Sequence, residues 1–292
     1  MSSARFILFA LLVFPLALQP AEAQSRIDCA SLKSRILGEP VHYCVMLPAG
    51  YEVAVASRPP RRYPVLYYLH GLGDDEQTLF KSGGWSLIED LRQQHKISDF
   101  LIVAPEGRAS FYINSADKRV LYSDFFLREF MPSIEAKYSI RKTRKSRAIS
   151  GVSMGGYGAL RFAFSHPELF GSVSAQSPAL VSQPGHPENS FGRFLGSVFG
   201  NPIDIPHWQQ NDPFALARQN EVRLRSLAIY FICGRSDEYG FENGVEALHR
   251  QFQSQAIKHE YRLYPGNHGA AYFLSHLEEV MEFHSKVFQG SK

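Results

Sequence analysis

Short apolar runs, each bounded by Gly, Pro or Asp and separated by amphipathic stretches, constrain the fold of this chain more than any other feature. The runs are Val65-Leu66-Tyr67-Tyr68-Leu69, Phe100-Leu101-Ile102-Val103-Ala104, Ala148-Ile149-Ser150, Leu227 to Cys233, and Tyr261-Arg262-Leu263-Tyr264. Continuous apolar runs of this length suit strands buried on both faces, as in a mostly parallel sheet covered by helices. Helical character fills the intervals at Trp85 to Gln94, Asp124 to Tyr138, Tyr157 to His166, Gly244 to Gln255 and His276 to Phe288. The alternation predicts an α/β fold with a mostly parallel central sheet and helices on both faces. An earlier strand, Val41 to Leu47, ends at Pro48 and Gly50. With no internal repeat or low-complexity linker, residues 24–292 read as one domain. Residues 178–211, rich in Pro, Gly, Ser, Asn and aromatics, form a candidate cap inserted between core elements.

The first 23 residues read differently. Arg5 precedes the apolar run Phe6 to Phe14, and Ala21-Glu22-Ala23 supplies a small-x-small cleavage pattern. A basic start, a short apolar core and such a site predict a signal peptide cut before Gln24, and export to the periplasm or medium. About 13 apolar residues are too few to span the hydrocarbon of a bilayer. No cysteine stands at the cleavage point, so neither a lipid nor a stable membrane anchor is expected. Export permits a disulfide. Cys29 and Cys44 flank an apparent hairpin, but their pairing needs a register that the sequence leaves open. Cys233, inside an apolar run, reads as a small buried hydrophobe.

Gly151-Val152-Ser153-Met154-Gly155 is the motif that carries chemistry. Alone, Gly-x-Ser-x-Gly is weak, arising by chance about once in ten chains of this length. Its context is stronger, because the strand Arg147 to Ser150 leads in and the helix-compatible Gly156 to Phe162 leads out. That strand–turn–helix is a nucleophile elbow, which lifts the serine hydroxyl above the carboxyl edge of the sheet. A serine hydroxyl needs a base to take its proton. His268 stands in the turn Pro265-Gly266-Asn267-His268-Gly269 after a late strand, at the edge where a base must lie. The base needs a carboxylate to fix its tautomer. Asp237 follows the run Leu227 to Cys233 and is the expected acid, with adjacent Glu238 the alternative. The chain order Ser, Asp, His agrees with this fold. Two backbone N–H donors are expected to bind the oxyanion, those of Met154 and of Leu72 in Leu69-His70-Gly71-Leu72-Gly73-Asp74. His70 is expected to shape that loop.

These segments, with Ser150 to Leu160, Cys233-Gly234-Arg235-Ser236-Asp237, Asn211-Asp212-Pro213 and Tyr122 to Phe126, resemble the putative esterase family of α/β-hydrolases. That family includes esterase D, S-formylglutathione hydrolases and feruloyl esterases. The resemblance spans nearly the whole mature chain. It implies a metal-free Ser-Asp-His hydrolase of acyl esters, needing no cofactor. Many relatives carry a tryptophan a few positions beyond the histidine, where this chain has Gly269-Ala270-Ala271-Tyr272.

Other signals weigh less. Arg141-Lys142-Thr143-Arg144-Lys145-Ser146-Arg147 reads as a solvated loop, and a net charge of +3 over 292 residues argues for no nucleic-acid partner. His276 and His284 share no metal-ligand spacing with other candidates, so no metal site is expected. Trp85, Phe111, Tyr112, Tyr239 and Phe241 are candidates to line an acyl or aryl pocket. The expectation is therefore an exported serine carboxylesterase acting on small, feruloyl- or acetyl-type or carbohydrate-linked esters. An acyltransferase with the same triad and an inactive binding protein on this fold are the alternatives. Oligomeric state is not readable from these features.

Overall fold

The short runs assemble into one eight-stranded sheet in the computed structural model, which describes residues 25–181 and 190–290; the central strands are buried on both faces, whereas the two edge strands, the Tyr261–Tyr264 run among them, stay partly exposed. The strands are β1 (Arg26–Lys33), β2 (Pro40–Leu47), β3 (Val65–Leu69), β4 (Leu101–Pro105), β5 (Arg147–Val152), β6 (Ser172–Gln176), β7 (Ala228–Gly234) and β8 (Glu260–Tyr264). Their order across the sheet is β1-β2-β4-β3-β5-β6-β7-β8. The β1–β2 and β2–β4 pairs are antiparallel, and every other pair is parallel. The chain leaves β3 toward one side to form β4, then returns past it to form β5. Such a reversal opens a crevice above the carboxyl ends of β3 and β5, where open α/β sheets bind ligands.

Two apolar layers cover the sheet. One packs Phe126, Phe162, Leu248 and Phe252 against Tyr67, Ile149 and Phe231. The other packs Ile88, Leu91, Val280 and Met281 against Leu66, Ile102 and Ile232. The helix expected over Asp124 to Tyr138 is interrupted by a π turn at Phe126–Phe130 before it resumes as Met131–Lys137. Pro132 explains the interruption, since it has no N–H to give the carbonyl four residues back and its ring would clash there.

At the amino end, Cys29 and Cys44 face each other in the β1–β2 register and form a disulfide. Residues 1–24, where the signal peptide was read, lie outside the described residues, as do 182–189 of the candidate cap. The rest of that segment includes two helices, Ser190–Phe199 and Ile205–Asn211. Phe199 packs on Trp208 with ring centroids 4.6 Å apart, and Asn211 O accepts the Tyr157 hydroxyl at 2.7 Å. The basic run corrects one expectation. It is not merely solvated, because Arg147 is clamped to the buried Glu135 at 2.7 Å and Arg144 donates to Pro167 O at 2.7 Å.

Strand β6, Ser-Val-Ser-Ala-Gln, was not among the expected strands. Its hydroxyls are buried but satisfied: Ser172 and Ser174 each bond one ring nitrogen of His284 at 2.8 Å, and Ser174 also bonds Ser150 at 2.7 Å. His284 is fully buried in the Leu277–Gln289 helix, and burial pushes its pKa down to about 3. The unfolded chain therefore takes up this proton at a higher pH than the fold does. Stability from this site is complete above about pH 6.5 and is lost at about 1.4 kcal/mol per pH unit as pH falls toward 3. Urea unfolding from pH 7 to pH 4 should then show the stability gap between wild type and His284→Gln shrinking at that slope. A gap constant with pH would refute the buried neutral imidazole.

Candidate active site

Ser153 sits between β5 and the Met154–Ser165 helix with φ 54° and ψ −118°, a strained backbone that the elbow demands. The turn is so tight that a Cβ on Gly151 would stand 2.3 Å from Gly155 O, and one on Gly155 would stand 2.0 Å from Leu69 O. Those two positions admit only glycine. The Ser153 amide donates to Gln176 O at 2.9 Å, and its carbonyl accepts from Tyr157 N and Ala179 N at 3.0 Å each. The elbow is thus held from three sides, and its hydroxyl is aimed outward.

Two further loops converge there. Those following β7 and β8 are tied together, Arg235 N donating to Tyr264 O at 2.8 Å and Ser236 N to Gly266 O at 3.0 Å. This brings Asp237 and His268 into line with the serine. His268 Nε2 lies 2.9 Å from Ser153 Oγ, and His268 Nδ1 lies 2.7 Å from Asp237 Oδ2. The choice between the two acids resolves geometrically: Glu238 Oε2 accepts the backbone N–H of His268 at 2.7 Å, so only Asp237 meets the imidazole. Burial alone would raise the Asp237 carboxyl, but the His268 ring and the Tyr239 N–H hold it below the usual range. Cys233 is more than a buried hydrophobe. Its thiol, pushed up to about 12 by burial, stays protonated and lies 3.5 Å from Asp237 Oδ2 as a weak donor.

The loop after β3 is pinned from behind. His70 Nδ1–H donates to Gly71 O at 2.8 Å, while its Nε2 accepts Gly107 N–H at 2.7 Å. Burial lowers the His70 pKa, which keeps the ring neutral and able to do both. Gly71 lies against Ser153, since a Cβ there would stand 3.6 Å from Ser153 Cβ. Leu72 and Met154 line the same cavity as Ser153 and His268. Met154 opens a twelve-residue helix whose N-terminal N–H groups favour negative charge.

The cavity holds about 380 Å³. Tyr239 and Phe241 line it as expected, stacked on each other at 5.4 Å and each packed edge-to-face with His268. Phe111 lines it too. Two expectations need correction. Tyr112 is fully buried, its hydroxyl donating to His70 O at 3.0 Å and its ring filling the space over Gly158. Trp85 lies outside the cavity, its indole N–H donating to Ser25 Oγ at 2.8 Å, because the Gly83–Gly84 turn sends the chain away before the helix begins. Among the lining residues missed were Phe273, Leu274 and Leu277, in the stretch of chain beyond His268. Tyr272, noted in place of the common tryptophan, is instead buried beneath Gly266. Among the described residues no three His, Cys, Asp or Glu side chains are grouped to hold a metal ion. None of the described helices is long and apolar enough to cross a membrane.

The profile of the family described as Putative esterase matches residues 34–284. This chain belongs to that esterase family. Among curated proteins, the esterase-family chain is 30% identical over 251 residues to Esterase Rv1288 of Mycobacterium tuberculosis, covering 77% of this chain and 51% of that one. It is 26% identical over 230 residues to an acetyl esterase of Caldicellulosiruptor saccharolyticus, covering 76% and 83%. The chain thus spans about half the length of the mycobacterial esterases it matches. Among solved structures, a ferulic acid esterase superposes with TM-score 0.77 at 25% identity over 91% of this chain and 99% of that one. An S-formylglutathione hydrolase of Staphylococcus aureus gives 0.73 at 21%, over 89% and 99%, a likeness of fold. The esterase family and the α/β-hydrolase fold expected from the sequence are both met.

Proposed function

We propose that this chain is an exported serine hydrolase of carboxylic esters, working through an acyl-enzyme on small acyl or aryl esters, including carbohydrate-linked ones. One observation carries the reading: an Asp237–His268–Ser153 hydrogen-bonded line, at 2.7 and 2.9 Å, opening into a largely apolar cavity. His268 takes the Ser153 proton as Oγ attacks the ester carbonyl, and Asp237 stabilises the imidazolium that forms. The Leu72 and Met154 amides receive the developing oxyanion. The protonated His268 returns its proton to the leaving alcohol, and water then repeats the sequence to free the acid and regenerate Ser153.

A cavity of this size, walled by Phe111, Phe241 and Phe273, exceeds the needs of an acetyl group and suits a single aromatic ring. The acetyl and ferulic acid esterases among the relatives support the same range. Export is supported by the N-terminal pattern of the sequence and by the Cys29–Cys44 disulfide, which persists in oxidising compartments. A panel of acetyl, butyryl and hydroxycinnamoyl esters, assayed with and without a sugar alcohol, tests the function. The expected result is turnover with the free acid as product. Acyl transfer to the sugar alcohol as the main outcome would assign a transferase instead, and no turnover across the panel would overturn the reading.

A further inference from the structure

The cavity carries one charged side chain that the mechanism does not use. Asp74 follows the oxyanion loop and lines the same cavity as Ser153 and His268. Its position can be fixed through Gly71: a Cβ there would stand 3.1 Å from Asp74 Oδ2 and 3.6 Å from Ser153 Cβ. The carboxylate is therefore close to the reacting centre, well inside a Debye length at physiological salt. Nothing in the cavity neutralises it. None of the described residues that line the cavity is Lys or Arg, and Asp74 takes part in no ion pair among the described residues.

Burial raises the Asp74 carboxyl above the ordinary carboxylate range, the Gly71 N–H opposes that rise, and the surrounding titratable groups leave its charge standing at neutral pH. His70 is held neutral by burial and by its two hydrogen bonds, and burial raises the Tyr68 phenol so that it stays protonated. Asp75 adds a second negative charge nearby, offset by the Lys81 cation. Asp237 lies behind the His268 ring, 2.7 Å from its Nδ1, and its charge adds to the same negative field while the ring awaits the Ser153 proton. A substrate entering this cavity meets a net negative field whose source lies beside the scissile carbonyl.

We propose that Asp74 is a specificity-determining residue that makes the site discriminate by charge, turning over neutral and cationic esters and rejecting esters that carry a carboxylate near the scissile bond. This rests on the ester-hydrolase reading above. Two like unit charges at such a separation, with an effective dielectric between that of protein and water, change a rate constant by about tenfold.

The test uses two pairs of esters matched in shape and differing in charge. One pair is p-nitrophenyl butyrate and p-nitrophenyl hemisuccinate, charged on the acyl side. The other is phenyl acetate and 4-carboxyphenyl acetate, charged on the leaving side. The quantity read is the anionic-to-neutral ratio of kcat/KM in wild type and in Asp74→Asn, which cancels intrinsic reactivity. Asn keeps a carbonyl oxygen to accept from the Gly71 backbone, so the loop retains its turn. The ratio is expected to rise about tenfold in at least one pair. A second readout needs no variant: in wild type the same ratio should climb several-fold between low salt and about 0.5 M NaCl, as screening weakens the repulsion. Ratios that respond neither to Asp74→Asn nor to salt would overturn the proposal while leaving the hydrolase standing. Absence of turnover of the neutral esters by wild type would instead overturn the hydrolase reading and the selectivity with it.

Discussion

Ser153→Ala is expected to lower kcat/KM for p-nitrophenyl acetate by at least about 10⁴-fold, while the folded chain keeps its melting temperature within a few degrees. The expectation follows from the division of labour around this residue. Its backbone holds the elbow through Gln176 O, Tyr157 N and Ala179 N, and Ala preserves all three bonds. Its hydroxyl, by contrast, bonds His268 alone among the described side chains. Removing Oγ deletes the proposed nucleophile and little else. The remaining rate would come from the oxyanion donors and from binding. Initial-rate kinetics beside a thermal melt checks both halves, and a variant retaining more than a tenth of wild-type activity would remove Ser153 from the mechanism.

The second large effect is expected at Asp237, with its neighbour as control. Asp237→Asn should lower kcat by about 10⁴-fold, because the amide leaves the imidazole in the wrong tautomer and cannot stabilise its charged form. Glu238→Gln should change kcat by less than about tenfold, since a Gln oxygen can still accept the His268 backbone N–H that Glu238 now receives. Adjacent acids with such different consequences would locate the triad acid by function. Equal losses at both positions would contradict the assignment. Because the His268 ring and the Tyr239 N–H hold the Asp237 carboxyl below the ordinary range, the His268–Asp237 pairing contributes stability above that range and loses it only as pH falls through the lowered value.

The hydrogen-bonded line of Asp237, His268 and Ser153 was legible in the sequence because each residue follows a strand whose apolar run marks it. The elbow needs glycines at fixed spacing, and the loops after β7 and β8 can reach only one edge of the sheet. The pocket wall was less legible. Phe111 and Tyr112 are adjacent, both in left-handed backbone at φ 51° and 58°, and this turns one ring into the cavity and the other into the core. No periodicity announces such a pair. Trp85 failed as a lining candidate for a related reason, a positive-φ Gly83 just upstream that redirects the chain. Strand β6 escaped notice because Ser172 and Ser174 look like loop residues until His284, more than a hundred positions later, is seen to bond both. Buried polar partners of this kind are tertiary facts that composition hides. Between Asp237 and Glu238 the decision turns on which oxygen meets a ring nitrogen and which meets a backbone N–H, a matter of about one residue's rotation in a loop.

The measurement closest to the central claim is covalent labelling of the folded chain with a fluorophosphonate, followed by intact-mass analysis and peptide mapping. Such a probe forms its bond only with a serine that a base has activated and an oxyanion hole supports. One adduct per chain, on the peptide containing Ser153, and its loss both in Ser153→Ala and after replacing His268 by Ala, is the predicted result. A properly folded chain that takes no label, or takes it on another residue while still cleaving esters, would contradict the account.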